Sequence, residues 1–232
     1  MNRQAVNPYL PSWEYIPDGE PHVFNGRVYV YGSHDRFNAP IFCVNDYVCW
    51  SAPVEDLSEW RYEGVIYRKK QDPKNPLGYH LLFAPDVCQG PDGRYYLYYA
   101  FDFLGIMSVA VCDTPAGEYK FLGHIHYADG TLWGRRRGDQ LPFDPGVLLD
   151  DDGRVWLYSG FYNAVPAILT GGHKLRCDGG TVLELEKDMV TIKTEPRVIF
   201  PKKGPGAFQG HEFFEASSIR KEGKTYIFVY SS

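Results

Sequence analysis

The run Asn25-Gly26-Arg27-Val28-Tyr29-Val30-Tyr31 opens with a turn dipeptide and continues with alternating β-branched and aromatic residues. Asn-Gly tolerates the positive φ of a tight hairpin turn, and the residues after it suit a pleated, half-buried surface. The pattern returns as Asp92-Gly93-Arg94-Tyr95-Tyr96-Leu97-Tyr98, as Asp152-Gly153-Arg154-Val155-Trp156-Leu157-Tyr158 and as Glu222-Gly223-Lys224-Thr225-Tyr226-Ile227-Phe228. Its turn glycines lie 67, 60 and 70 positions apart. A short apolar strand precedes each turn, at His22-Val23-Phe24, Val87-Cys88, Val147-Leu148-Leu149 and Ser218-Ile219-Arg220. In the first two units, Ser51-Ala52-Pro53 with Trp60 and Gly64, and Cys112-Asp113-Thr114-Pro115 with Tyr119 and Gly123, mark third and fourth strands. Four-stranded antiparallel units at this period predict an all-β fold, a β-propeller. A β-sandwich has no reason to return to one hairpin motif at such long intervals. The expected blades are residues 12–78, 79–141, 142–205 and, in part, 206–232. That is about three and a half blades, where propellers close with about four to eight. The expected remedy for the open edge is blades encoded elsewhere or, failing that, self-association through the edge.

Composition agrees. Of 232 residues, 44% are hydrophobic and 23% charged, enough apolar content for a sizeable core. Eighteen Tyr, fourteen Phe, 24 Gly and 17 Pro against three Met favour short strands and tight turns over helical bundles. The net charge of -5 disfavours nonspecific nucleic-acid binding, and Arg135-Arg136-Arg137 reads as a solvated loop. No run is long and apolar enough to predict a membrane span, and Met1-Asn2-Arg3-Gln4-Ala5 shows no signal-peptide core. Five cysteines without a paired spacing suit a reducing compartment, so the expected location is cytoplasmic.

In a propeller the first strand of every blade lines the axis, so residues just before those strands face one another. Counted back from the turn glycine, Asp18 lies 8 residues away, Asp86 lies 7, Asp144 lies 9 and Glu215 lies 8. Carboxylates gathered at one cavity drive their pKa values apart, as acid–base chemistry on a glycosidic bond requires. For Asp144, followed by Pro145, the expectation is instead a carboxylate that caps a turn.

The stretches Pro17-Asp18-Gly19-Glu20-Pro21, Phe83-Ala84-Pro85-Asp86-Val87, Phe143-Asp144-Pro145-Gly146-Val147 and Phe213-Phe214-Glu215-Ala216 resemble glycoside hydrolase family 43. The resemblance covers nearly the whole chain. It implies a five-bladed propeller that hydrolyses arabinose- and xylose-containing oligosaccharides with inversion. Asp18 matches the general base, Glu215 the general acid and Asp86 the third acid that orients Glu215. Glu20, two residues after Asp18, is the alternative base, and Glu212 is expected to face elsewhere. Phe83 stands where the family often has Trp and is a candidate for stacking on the sugar, with a core aromatic as the alternative. The metal-associated His and the Arg of later blades would fall beyond Ser232.

His34 is a candidate sugar contact, with a structural histidine as the alternative. His124 and His126 alternate on one strand and read as surface residues without a third metal ligand. Nucleotide-binding and zinc-protease patterns are absent, so no cofactor is expected to be required, and nothing in the sequence signals a structural calcium. Gly171-Gly172 and Gly179-Gly180 flank Cys177 in what reads as a flexible excursion. The rival function is a noncatalytic carbohydrate-binding or scaffold propeller fragment. Retaining fructan hydrolases rank lower because their Asn-Asp-Pro-Asn-Gly and Arg-Asp-Pro signatures are missing.

Overall fold

The structure, a computed structural model, describes residues 7–232, so the leader reading at residues 1–5 lies outside the described residues. Strands β1 (Glu20–Phe24), β2 (Arg27–Tyr31), β3 (Tyr47–Pro53) and β4 (Arg61–Tyr67) form one antiparallel sheet in chain order. The second sheet is β5 (Asp86–Gln89), β6 (Tyr95–Ala100), β7 (Met107–Cys112) and β8 (Lys120–His124). The third is β9 (Gly146–Leu149), β10 (Val155–Phe161), β11 (Gly179–Leu185) and β12 (Arg197–Pro201). A two-stranded sheet, β13 (Glu215–Glu222) with β14 (Thr225–Ser231), follows. The chain is therefore all-β, with the four marked hairpins at β1–β2, β5–β6, β9–β10 and β13–β14.

Strand alternation builds the packing between sheets. Along β6, Tyr95, Leu97 and Tyr99 join Tyr29, Tyr31, Tyr47 and Tyr67 of the first sheet. Tyr96 and Tyr98 point the other way, onto Val147, Val155, Leu157 and Leu183 of the third sheet. A period of two thus buries both faces of the middle sheet. Between the third and fourth sheets the contact is aromatic, with Phe200 stacked on Phe228 at 4.7 Å and Tyr158 at 5.3 Å from Phe228. The four hairpin-opening strands adjoin one another, β5 against β1 and β9, and β13 against β9.

The turns differ more than their shared glycine predicts. Phe24 pairs with Arg27, so Asn25 (φ 50°) and Gly26 (φ 76°) alone make the first turn. In the second unit Gln89 pairs with Tyr95, leaving five residues closed by Gly90 N–H donating to Arg94 O at 2.7 Å. The third unit is built the same way around Asp150 and Arg154.

Three further expectations are corrected. Gly179 and Gly180 are not a loose loop but the start of β11, where a Cβ on Gly179 would meet Phe200 O at 2.1 Å. Cys177 beside them is buried. His124 is not a free surface residue: its side chain is 12% exposed and pairs with Ser108 Oγ at 2.9 Å. Within the arginine run, Arg135 donates to the Gly105 and Leu104 carbonyls and Arg136 lies 3.5 Å over the Tyr127 ring, leaving Arg137 as the solvated member.

Candidate active site

At one end of the hairpin-opening strands, a cavity of about 300 Å³ is lined by Asp18, Asp144 and Glu215. Each sits at the mouth of a different sheet. Asp18 and Asp144 lie two residues before β1 and β9 begin, and Glu215 opens β13. The backbone is strained at these places: Asp18 (φ 55°), Asp144 (φ 49°) and Ala216 (φ 62°) all occupy the left-handed region. Residues held there cost roughly 1–3 kcal/mol each and cluster at functional sites. Phe83, Phe143 and Phe161 form the apolar wall, with Phe143 at 5.8 Å from Phe83 and 4.8 Å from Phe161.

The three carboxylates sit in graded environments. Asp18 is exposed and accepts a hydrogen bond from Ser33 Oγ at 3.0 Å. Glu215 is half-buried, and burial followed by the Asp18 charge pushes its carboxyl up. Asp144 is buried at 7% exposure and accepts the Ala216 amide at 3.0 Å. Burial above all, then the charges of Glu215 and Asp18, holds the Asp144 carboxyl well above the usual range, with the Ala216 bond opposing. Graded burial of like charges is how one site keeps one carboxyl protonated beside another that is ionised.

Asp86 is not in this group. It is 1% exposed; its Oδ1 meets His22 Nε2 at 2.6 Å and the Val87 amide at 2.7 Å, and its Oδ2 accepts the Val147 amide at 2.6 Å. It ties the first three sheets together away from the cavity. The reason is register. Asp86 is the first residue of β5, so the position matching Asp18 and Asp144 is Ala84, which does line the cavity. Two residues along a strand is about 7 Å of travel. The second and third turns have the same length, so Asp86, 7 residues before its glycine, and Asp144, 9 before its own, stand two residues apart along their strands, and the Asp144-Pro145 step is what makes Asp144 read as a cap. A like-for-like count of nine residues before the glycine in these two units lands on Ala84 and Asp144, both of which line the cavity.

The remaining candidates separate cleanly. Phe83 lines the cavity. His34 does not: Nδ1 faces Asp46 O and Nε2 faces Glu14 Oε1, both at 2.9 Å, so its role is structural. Glu20 bonds Arg220 and, at 2.7 Å, Ser218 Oγ, outside the cavity wall. Glu212 accepts the Gly210 amide at 3.1 Å within its own loop. Glu20, His22 and Asp86 bring ligand atoms within 4.8 Å of one another, with His22 Nε2 already on Asp86 Oδ1 and Glu20 Oε1 on Ser218 and Arg220.

Residues 17–232 match the family described as Glycosyl hydrolases family 43. The chain belongs to that family. A xylosidase/arabinosidase of Thermoclostridium stercorarium is 61% identical over 236 residues, covering 100% of this chain, which spans 48% of that relative's length. Xylosidase/arabinosidase 43A of Humicola insolens is 31% identical, covering 94% of this chain and 72% of the relative. Among solved structures, a β-xylosidase/α-arabinofuranosidase from a compost microbial metagenome, in complex with xylotriose and calcium-free, superposes with a TM-score of 0.71 at 26% identity. That superposition covers 98% of this chain and 73% of the other.

Proposed function

We propose that this chain carries the acid/base site of an inverting glycoside hydrolase acting on xylose- or arabinose-containing oligosaccharides. The sheets are then about three and a half blades of a five-bladed propeller. The observation that carries the reading is the meeting of Asp18, Asp144 and Glu215, distant in sequence, in one aromatic-walled cavity. Family membership and the xylosidase/arabinosidase relatives support the substrate class.

The chemistry follows from the graded environments. Exposed Asp18 is placed to take a proton from the attacking water. Glu215, whose raised carboxyl keeps its proton to higher pH, gives that proton to the leaving glycosidic oxygen. Attack and departure on opposite faces invert the anomeric centre and require the two carboxyls to stand about 6.5–9.5 Å apart. The cycle closes when solvent returns a proton to Glu215 and removes one from Asp18. Asp144 replaces Asp86 as the third acid. By fixing the Ala216 amide it fixes the backbone that carries Glu215. No cofactor is called upon. Five free thiols, four of them buried, accord with the cytoplasmic location that we propose with this reading.

The test is Glu215→Gln assayed on aryl xylosides and arabinofuranosides. General acid catalysis supplies about 10²–10⁴-fold, so a variant retaining more than about a tenth of the rate refutes the assignment. The second reading is a noncatalytic carbohydrate-binding or scaffold propeller. Pentoside binding without turnover would select it.

A further inference from the structure

One carboxylate of the cavity wall has no part in the acid/base set. Asp35 follows β2 on the segment Gly32-Ser33-His34-Asp35 and lines the cavity beside Cys43. Its backbone is fixed on both sides: its amide donates to Tyr15 O at 3.0 Å, and its carbonyl accepts Asn45 Nδ2 at 2.8 Å. Its Oδ1 accepts the Cys43 amide at 2.5 Å, at a residue whose own φ is 56°. Among the described residues its Oδ2 has no partner.

A sugar entering this cavity gives up water at each hydroxyl and needs acceptors in return. The aromatic wall offers few. The Phe83 carbonyl already accepts Tyr47 Oη, and the Phe143 carbonyl already accepts Ser159 Oγ at 2.7 Å and the Gly160 amide at 2.9 Å. Asp18 and Asp144 each spend a carboxylate oxygen on Ser33 and Ala216. Asp35 is left as a rigidly mounted, half-satisfied acceptor facing the same space.

We propose that Asp35 is a sugar-binding residue, its Oδ2 accepting a hydrogen bond from one ring hydroxyl of the terminal pentosyl unit and so setting that unit's orientation over Asp18 and Glu215. The proposal rests on the reading of the cavity as a glycoside site. Few polar groups in a mostly apolar pocket are what fix a ligand's orientation.

The experiment measures binding of methyl β-D-xylopyranoside and methyl α-L-arabinofuranoside, with their monodeoxy analogues, to this chain and to Asp35→Asn. Asparagine keeps an oxygen for the Cys43 amide and turns the free acceptor into a donor. Thermal unfolding verifies that the loop survives. The expected result is a loss of about ten- to a hundredfold in affinity, the range for a hydrogen bond to a charged group. One deoxy analogue should bind the unaltered chain correspondingly weakly and lose that handicap in the variant. If Asp35→Asn binds within about twofold of the parent, or if no deoxy analogue is weakened in the unaltered chain, the proposal falls while the glycoside site stands. A deoxy handicap that persists in Asp35→Asn places that hydroxyl elsewhere and also overturns it. Absence of pentoside binding by the unaltered chain would remove the glycoside reading and this inference together.

Discussion

Two groups of carboxylates stand near the same strands and have opposite characters. At the cavity, Asp18, Asp144 and Glu215 face open space, with few bonds and mutual repulsion. Deeper along the strands, Asp86 and Glu20 are tied to His22, Arg220, Ser218 and backbone amides. Composition is the same in both places. Hydrogen-bond supply differs, and it divides chemistry from structure: a carboxylate held by several donors ties sheets together, and one left with few in a cavity is available to a substrate.

The sharpest way to break this contrast is to remove one member of each group and compare activity with stability. Asp18→Asn and Glu215→Gln should each lower the turnover rate by about 10²–10⁴-fold, with denaturation midpoints close to the parent. Asp86→Ala should show the converse. It strands three donors in a buried place, a loss on the order of 3–5 kcal/mol, seen in urea unfolding as a lower midpoint. If Asp86→Ala unfolds at the parent's midpoint yet loses turnover, the division fails.

The pH dependence of Asp144 sharpens the comparison further. Its carboxyl is raised by burial and by neighbouring charge, so the folded chain keeps a proton that the unfolded chain has released. Stability then falls as pH rises from the ordinary Asp range through the raised folded value. Asp144→Asn removes that penalty and should be more stable than the parent near neutral pH, read as a higher urea midpoint. The gain should vanish below about pH 4, where the carboxyl is protonated in both states. Equal gains at both pH values would show that Asp144 is not held protonated.

How much of this was legible is a matter of which ruler the sequence supplies. Period-two alternation in Tyr95–Tyr99 and the four recurring Gly turns give the sheets, because burial on both faces demands apolar or aromatic side chains at every position of a middle strand. Asp18, Glu215 and Phe83 were also within reach, each at a strand mouth. Asp144 and Asp86 were exchanged although their two units share a five-residue turn: offsets of nine and seven from the glycine match only if a two-residue slip is allowed, and Pro145 makes Asp144 read as a cap. Asp35 carried no signal at all. What singles it out is the left-handed Cys43 whose amide it holds across a loop, and no local pattern encodes that contact.

His34 gives the smallest test. It lies one residue before Asp35, yet both of its ring nitrogens are engaged, by Asp46 O and Glu14 Oε1. Glu14 Oε2 also accepts the Trp50 indole at 2.8 Å, so the imidazole braces the segment over β3 rather than facing the cavity. Replacing it with alanine leaves Glu14 one partner short and costs about 1 kcal/mol, read as a modest drop in melting temperature. Its KM for a pentoside should stay within about twofold of the parent, because the ring reaches no sugar. Asp35→Asn, one residue along the chain, should do the reverse: hold its melting temperature and lose affinity. Adjacent residues with opposite phenotypes would confine the boundary between frame and site to a single peptide bond, whereas a raised KM in His34→Ala would move that boundary back into the structural group.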